Sequence, residues 1–381
     1  MAGKRRPPEN IGKNPLNPSK THNIWESDFP VGGGLPLCKI LLDKLLFISV
    51  LYYNKYMLVN VLFLGGTSID LIQNRRKGRI ESVSIGGSIT NSAIIAAKLG
   101  LKTGLLSKIG KDSFGNFAID FLKSCKININ GIIQDSNIRT PLAIAKIDKS
   151  GIAKYTFYKN SPKDSVVSIK NTPKALLDTC KAFHTGSSYS YQKETFEETL
   201  KFIKYLKKRA VFISYDPNIR PGTIKHKNEV KARVLKLLKL VDLAKLSEID
   251  LKYLTGSKTP EKGLKTLKKL VRCELILTLG SKGSIYYHSR SSNGKSSVRR
   301  TEEVIAIPAF KVRVVDTIGA GDAFTAGLIY RLIKQGRAEF FSNMRSNMTF
   351  ASAVSAIICT QKGANQGLKD KKQVNLFISK H

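Results

Sequence analysis

From Leu58 onward, short apolar runs alternate with segments of helical period, and this alternation restricts the chain to a parallel sheet covered by helices on both faces. The runs at 59–64, 103–107, 182–184, 211–215, 243–246 and 275–279 read as buried strands. Between them, 91–99, 114–124, 194–208, 230–240 and 263–270 carry the helical period. Two regions fit this scheme poorly. The stretch near 70–85 is one. The other is the pair of extended runs 140–148 and 152–158, which flank Lys149-Ser150-Gly151 and read as a β-hairpin. Both are expected in a small β lid built from about 68–85 and 138–160. The fold class expected is an α/β three-layer sandwich with a mostly parallel sheet and that lid.

A chain of 381 residues can bury one large core, or one core and a smaller appendage, and 42% hydrophobic with 24% charged residues is the composition of a globular protein. The five cysteines, Cys38, Cys125, Cys180, Cys273 and Cys359, are scattered and form no C-x-x-C, which argues against a disulfide framework or zinc site and for a reducing, cytoplasmic setting. A formal charge of +36 raises nucleic acid as a partner. The basic residues are spread over helical faces such as 201–209 and 231–239, however, so nucleic acid is not the expected partner; attraction of nucleotides and acidic molecules at low salt is. Residues 1–35 are rich in Pro, Gly, Asn and Lys and read as disordered. The apolar run 45–53 is too short to span a bilayer and too deep in the chain for a secretion signal, so no membrane role is expected. Residues 1–56 are taken as a disordered or non-native extension, with the working domain at 57–381 starting at Met57.

One stretch carries most of the chemical information: Asp316-Thr317-Ile318-Gly319-Ala320-Gly321-Asp322-Ala323-Phe324-Thr325-Ala326-Gly327. An extended run, 310–315, feeds a turn of small residues, and an apolar helical pattern follows (Phe324, Leu328, Ile329, Leu332) before Gly336. Small residues at a helix start let N–H groups converge on an anion, and the helix dipole favours negative charge there. Asp322 puts a carboxylate where an anion should bind. Such a group suits proton removal from a hydroxyl attacking phosphorus, and it equally suits a helix N-cap after a glycine turn.

This stretch resembles the C-terminal signature of the ribokinase/PfkB carbohydrate kinase superfamily, D-T-x-G-A-G-D-x-F-x-x-G, at every fixed position. The resemblance implies a ribokinase-like fold, Asp322 as the base, and N–H groups of Gly319, Ala320, Gly321 and Asp322 around the transferring phosphoryl group. Gly86-Gly87-Ser88-Ile89-Thr90-Asn91 is similar to the N-terminal signature, which implies sugar contacts from Gly86, Gly87 and Asn91. Asp70, after the first strand, stands where relatives bind sugar hydroxyls. Asp216-Pro217-Asn218-Ile219-Arg220-Pro221 is similar to the D-P-N-x-R-P motif of the fructokinase and 2-keto-3-deoxygluconate kinase branches. It offers Arg220 as a planar donor fork. Lys159 stands where those branches commonly carry Arg, which keeps the charge without the fork.

Ser247-Glu248-Ile249-Asp250 resembles the family's N-x-x-E magnesium element with two departures, Ser247 for Asn and Asp250 for Glu, so Mg²⁺ is assigned to Asp250 or Glu248. Thr278-Leu279-Gly280-Ser281-Lys282-Gly283 resembles the nucleotide loop, which implies ATP contacts from Thr278, Gly280, Ser281, Gly283 and Gly321. By the same resemblance, Asp316, Ile318 and Gly363 line a site for a monovalent cation such as K⁺. No Walker Gly-x-x-x-x-Gly-Lys-Ser/Thr occurs, and the five histidines form no metal-ligand spacing. The expectation is an ATP-dependent sugar kinase acting on fructose or a related keto sugar or sugar acid, dimerising through the lid. Two alternatives stand beside it: a nucleoside kinase of the same fold, and a non-catalytic nucleic-acid-binding relative.

Overall fold

The computed structural model describes residues 58–73, 79–147, 153–290 and 301–381. The N-terminal extension, Met57 and the turn Lys149-Ser150-Gly151 lie outside the described residues. The strands in chain order are β1 (Val61–Leu64), β2 (Ser68–Gln73), β3 (Ile80–Gly86), β4 (Thr103–Gly110), β5 (Ile132–Asp135), β6 (Leu142–Ile147), β7 (Ala153–Tyr158), β8 (Ala182–Gly186), β9 (Phe212–Asp216), β10 (Leu243–Ser247), β11 (Glu274–Thr278), β12 (Ser284–Arg290) and β13 (Thr301–Ile307). Five helices bear on the site: α1 (Ser88–Lys98), α2 (Ser113–Ser124), α3 (Glu248–Thr255), α4 (Ala320–Gln335) and α5 (Met344–Cys359).

Nine strands form one sheet in the order β13-β12-β11-β10-β9-β8-β1-β4-β5. From β11 through β5 every pairing is parallel, while β12 and β13 close one edge antiparallel. Because side chains alternate along a strand, each central strand feeds two cores. In β1, Val61 and Phe63 pack with α1, α4 and α5, and Leu62 and Leu64 pack on the other face with the helices Lys193–Lys207 and Lys227–Leu238. This is the three-layer sandwich expected, with continuous apolar strands where both faces are covered.

The differences from expectation are local. Residues 310–315 join no ladder and bend at Val315, whose N–H donates to the Cys359 carbonyl at 2.8 Å. Helix α4 begins at Ala320, ahead of its apolar period, because Gly319 in the left-handed conformation (φ 80°) already turns the chain. Its Gly327 is a packing residue: an added Cβ would stand 2.8 Å from Ala351 Cα in α5.

The second sheet has the order β3-β2-β6-β7 and takes in both regions that fitted the large sheet poorly. Pairs β2–β3 and β6–β7 are antiparallel, and β2–β6 is parallel. Its strands are tied to the large sheet where they enter it. Ahead of β2, the Thr67 hydroxyl donates to Ser107 Oγ at 2.9 Å and shares a 2.9 Å bond with Thr90. Ahead of β6, Asp112 accepts from the Thr140 backbone N–H (2.8 Å), the Thr140 hydroxyl (2.7 Å) and, as the N-cap of α2, from Gly115 N–H (2.8 Å).

Burial pushes the Asp112 carboxyl up, but the bonds from Thr140 and Gly115 outweigh it and hold it below the usual carboxylate range. The unfolded chain therefore binds this proton more tightly. The anchor contributes fully above about pH 4 and is lost on acidification through the lower folded-state value. Asp112→Ala is expected to lower the urea midpoint at pH 7 by the equivalent of about 1–3 kcal/mol at constant m. Coincident midpoints for variant and parent at pH 7 would show that the anchor contributes nothing.

Candidate active site

Helices α1 and α4 both start at a positive-φ glycine, Gly87 (φ 104°) and Gly319 (φ 80°), and their first turns face each other. Ser88, Asn91 and Ser92 are spaced i, i+3, i+4 and so share one face of α1. All three meet Asp322. Ser88 Oγ donates to Asp322 Oδ1 at 2.6 Å, Asn91 Nδ2 to Oδ2 at 3.0 Å, and Ser92 Oγ to the Asp322 carbonyl at 3.1 Å. Asp322 is the third residue of α4 and buried, with Gly319 as the cap, so the N-cap reading of this carboxylate does not hold. Burial raises its pKa, and the Ser88 and Asn91 bonds and the charges of Lys245 and Arg220 offset this only in part, so it stays above the usual carboxylate range. The result is an oriented, protein-bonded carboxylate at the positive end of a helix.

Asp70 lies on β2 in register with Ser84 of β3 and Ala143 of β6. Its carboxylate occupies the space that a Cβ on Gly86 would take, and a Cβ on Gly87 would collide with the Gly66 carbonyl. These glycines are therefore required by contacts within the protein itself. Burial, opposed by a bond from Ser68 and aided by the nearby Asp322 charge, pushes Asp70 up to about 6. Arg220 is exposed and follows the Asp216-Pro217-Asn218-Ile219 loop. The Asn91 amide is committed on both sides, since its oxygen accepts from Asn365 Nδ2 at 3.2 Å. Lys159 stands over the Phe157 ring, its ammonium 4.6 Å from the centroid, apart from the side chains that meet Asp322.

Beside the α4 N-terminus lies a cavity of about 160 Å³. It gathers Thr278, Gly280, Gly283, Ala320 and Gly321 with Phe310, Phe324, Ser352 and Ser355. Ser281 belongs to the short turn Gly280–Lys282 at its edge. A Cβ at Gly283 would strike the Ile307 carbonyl, which explains that glycine. A larger cavity, about 720 Å³, lies by the amino ends of β10 and β11, lined by Asp242, Glu274 and Arg337 among others, and holds none of the motif residues.

The residues assigned to metal ions sit differently from one another. Asp250 is buried: its Oδ2 accepts from Ser247 N–H (2.7 Å) and Ser247 Oγ (2.6 Å), closing a capping box on α3. Its Oδ1 accepts from Ile219 N–H at 2.6 Å, clamping the two loops together. Glu248 is exposed at the first position of α3. Among the described residues no group of three or more His, Cys, Asp or Glu side chains is arranged to hold a metal. An oxygen-ligand site completed by water and phosphate fits this donor set; an all-protein cage does not. Asp316 bridges two loops, its Oδ1 accepting from Ile318 N–H and its Oδ2 from Gly363 N–H, both at 2.9 Å. That bond pair holds the backbone of Ile318 and Gly363 against the Asp316 side chain.

Ser88 and Lys245 were not among the residues expected to matter. The signal for Ser88 was its helical spacing from Asn91 and Ser92. The signal for Lys245 was a charge inside an otherwise apolar strand.

Residues 59–371 match the family model described as pfkB family carbohydrate kinase. Fructokinase-1 of Zea mays is 30% identical over 299 residues, covering 77% of this chain and 88% of that protein. The solved fructokinase from Xylella fastidiosa with bound ATP has a TM-score of 0.74 at 24% identity and covers 85% of this chain and 99% of its own. The fructokinase from Vibrio cholerae O395 in fructose-, ADP- and calcium-bound form has a TM-score of 0.71 at 24% identity, with 84% and 99% covered. Among the described residues no helix is long and apolar enough to cross a membrane.

The raised Asp70 has a stability consequence of definite sign. The folded state holds this proton more tightly than the unfolded chain, so stability falls as pH rises from about 4 to about 6 and stays lowered above. Asp70→Asn is expected to unfold at higher urea than the parent at pH 8, by about 1–3 kcal/mol, with the advantage gone below pH 4. A variant less stable than its parent at pH 8 would show that this carboxylate is not strained by its burial.

Proposed function

We propose that this chain, which belongs to the pfkB family of carbohydrate kinases and is a phosphotransferase acting on a sugar hydroxyl, transfers the γ-phosphate of ATP to fructose or a closely related keto sugar or sugar acid. The observation that carries this reading is the placement of Asp322. It is a buried, doubly bonded carboxylate at the start of α4, next to the cavity lined by Thr278, Gly280, Gly283 and Gly321. ATP occupies that cavity and directs its γ-phosphate at the α4 N-terminus. The acceptor sugar lies under the small sheet, with Asp70 and the Gly86-Gly87 backbone on its hydroxyls and Arg220 at its rim. Asp322 takes the proton of the attacking hydroxyl, and N–H groups of Gly319 to Asp322 stabilise the charge that gathers on the transferring group.

Mg²⁺ supplies charge neutralisation on the ATP phosphates when bound. Glu248 is the side chain with its carboxylate to spare for it, Asp250 acting as the loop clamp behind. The backbone oxygens near Asp316, Ile318 and Gly363 suit K⁺. The small sheet serves as the lid. Its exposed apolar residues, Ile80, Val83, Phe157 and Tyr158, suit pairing with a second copy of the chain. The keto-sugar preference is supported by the Asp216-Pro217-Asn218-Ile219-Arg220-Pro221 loop and by the fructokinase relatives.

The test is ADP release from Mg-ATP with fructose, 2-keto-3-deoxygluconate, ribose, tagatose and adenosine. Fructose or 2-keto-3-deoxygluconate is expected to turn over fastest, and Asp322→Asn to lose roughly 10²–10⁴ in kcat. Phosphorylation of adenosine alone would replace this reading with the nucleoside kinase. Full activity in Asp322→Asn would remove the base from the mechanism.

A further inference from the structure

Lys245 sits in the middle of β10, a strand buried along Leu243 to Leu246. Two residues earlier, Leu243 packs in the core that contains α4, while Ala244 and Leu246 pack on the opposite face. The alternation therefore sends Lys245 toward α4. Its ammonium pairs with Asp216 at 2.6 Å, with side-chain exposures of 7% and 2%. At Gly321, the second residue of α4, an added Cβ would stand 3.0 Å from Lys245 Nζ, the one group from outside α4 within 4 Å of that point. A fully desolvated ion pair is no better for stability than an apolar pair of the same volume, and a cation is disfavoured at a helix N-terminus. A structural role alone does not account for this placement.

The connections from Lys245 lead to the base. Asp216 Oδ1 accepts from Asn218 N–H at 3.0 Å. Asn218, held at φ 41°, donates from Nδ2 to Ser88 Oγ at 2.9 Å, and Ser88 Oγ donates to Asp322 Oδ1 at 2.6 Å. We propose that Lys245 is a positioning residue for the base: through Asp216, Asn218 and Ser88 it orients the Asp322 carboxylate, and from beneath Gly321 its charge favours the ionised form of that carboxylate. The role of Asp322 as base rests on the kinase reading given above; the link between Lys245 and Asp322 rests on the geometry.

The charged groups around Asp322 come from four elements. Lys245 (β10) and Arg220 (the loop after β9) favour its charge, and Asp70 (β2) and Asp216 (β9) oppose it. Asp250 of α3 adds its field to Lys245 and Asp216. Burial pulls the Lys245 pKa down, but Asp216, Asp250 and Asp322 outweigh it and leave it raised, so Lys245 stays cationic throughout the working range. Burial pushes Asp216 up to about 6 in spite of Lys245. One ammonium thus serves three buried carboxylates.

The experiment follows the Asp322 carboxyl by carbon NMR in protein labelled at aspartate Cγ, the signal identified by its loss in Asp322→Asn. Lys245→Met is expected to move the Asp322 titration midpoint up by about half a pH unit or more. Because that variant leaves Asp216 buried without its cation, Asp216→Asn/Lys245→Met is measured alongside it. Removing both partners spares the fold, and the midpoint should still rise, by less, since the ammonium is the nearer charge to α4. The acid limb of kcat should move by the same amount, with KM for ATP within about twofold. An unmoved midpoint in both variants, or a raised KM for ATP with no change in titration, would overturn the proposal. Absence of turnover on every sugar in the parent would count against the kinase reading alone, because the titration is read without substrate.

Discussion

The contact between the first turns of α1 and α4 is the interaction on which the rest of the site depends. A carboxylate withdrawn from water must be met by donors, or it takes up a proton and ceases to be a base. Ser88 and Asn91 meet it from one helix face, and the helix that carries Asp322 adds its own positive end. For the two turns to approach, each helix must leave its preceding segment sharply, hence Gly87 and Gly319 at positive φ. Two motifs more than two hundred positions apart in the chain are thus halves of one contact. Neither half explains itself when read alone.

Much of this architecture was legible because its determinants are local. Continuous apolar runs marked the parallel strands, and turn residues marked their ends. The poor fit of 70–85 and 140–158 to that pattern placed them in a separate sheet. What was not legible depends on partners distant in sequence. The antiparallel edge of β12 and β13 goes unannounced because its alternation mixes Tyr and His with apolar residues. Residues 310–315 look like a strand but have no neighbour to pair with. Ser247 and Asp250 read as a weakened metal element, and only the structure shows their oxygens engaged with each other and with Ile219. Lys245 gave a signal, a charge in a buried strand, whose meaning required Asp216 and Gly321 to be seen beside it.

The glycines show the same division. Gly86, Gly87 and Gly283 were expected to contact ligands, yet each already faces a protein atom where a Cβ would stand. Gly327, which closes the signature, serves helix packing against α5. Close approach of backbone to ligand and close approach of backbone to backbone leave the same mark in a sequence.

The alternation of β1 between two cores separates two kinds of residue in this protein. Val61 and Phe63 secure one layer, Leu62 and Leu64 the other, and the strand is spent on structure over its whole length. The proposed acceptor contacts lie past the strand ends, in the second sheet. On that reading, changes in the second sheet alter which molecule fits without touching the packing of β1. A lineage built on this plan is free to drift from one acceptor to another in small viable steps, its substrate range evolving faster than its framework.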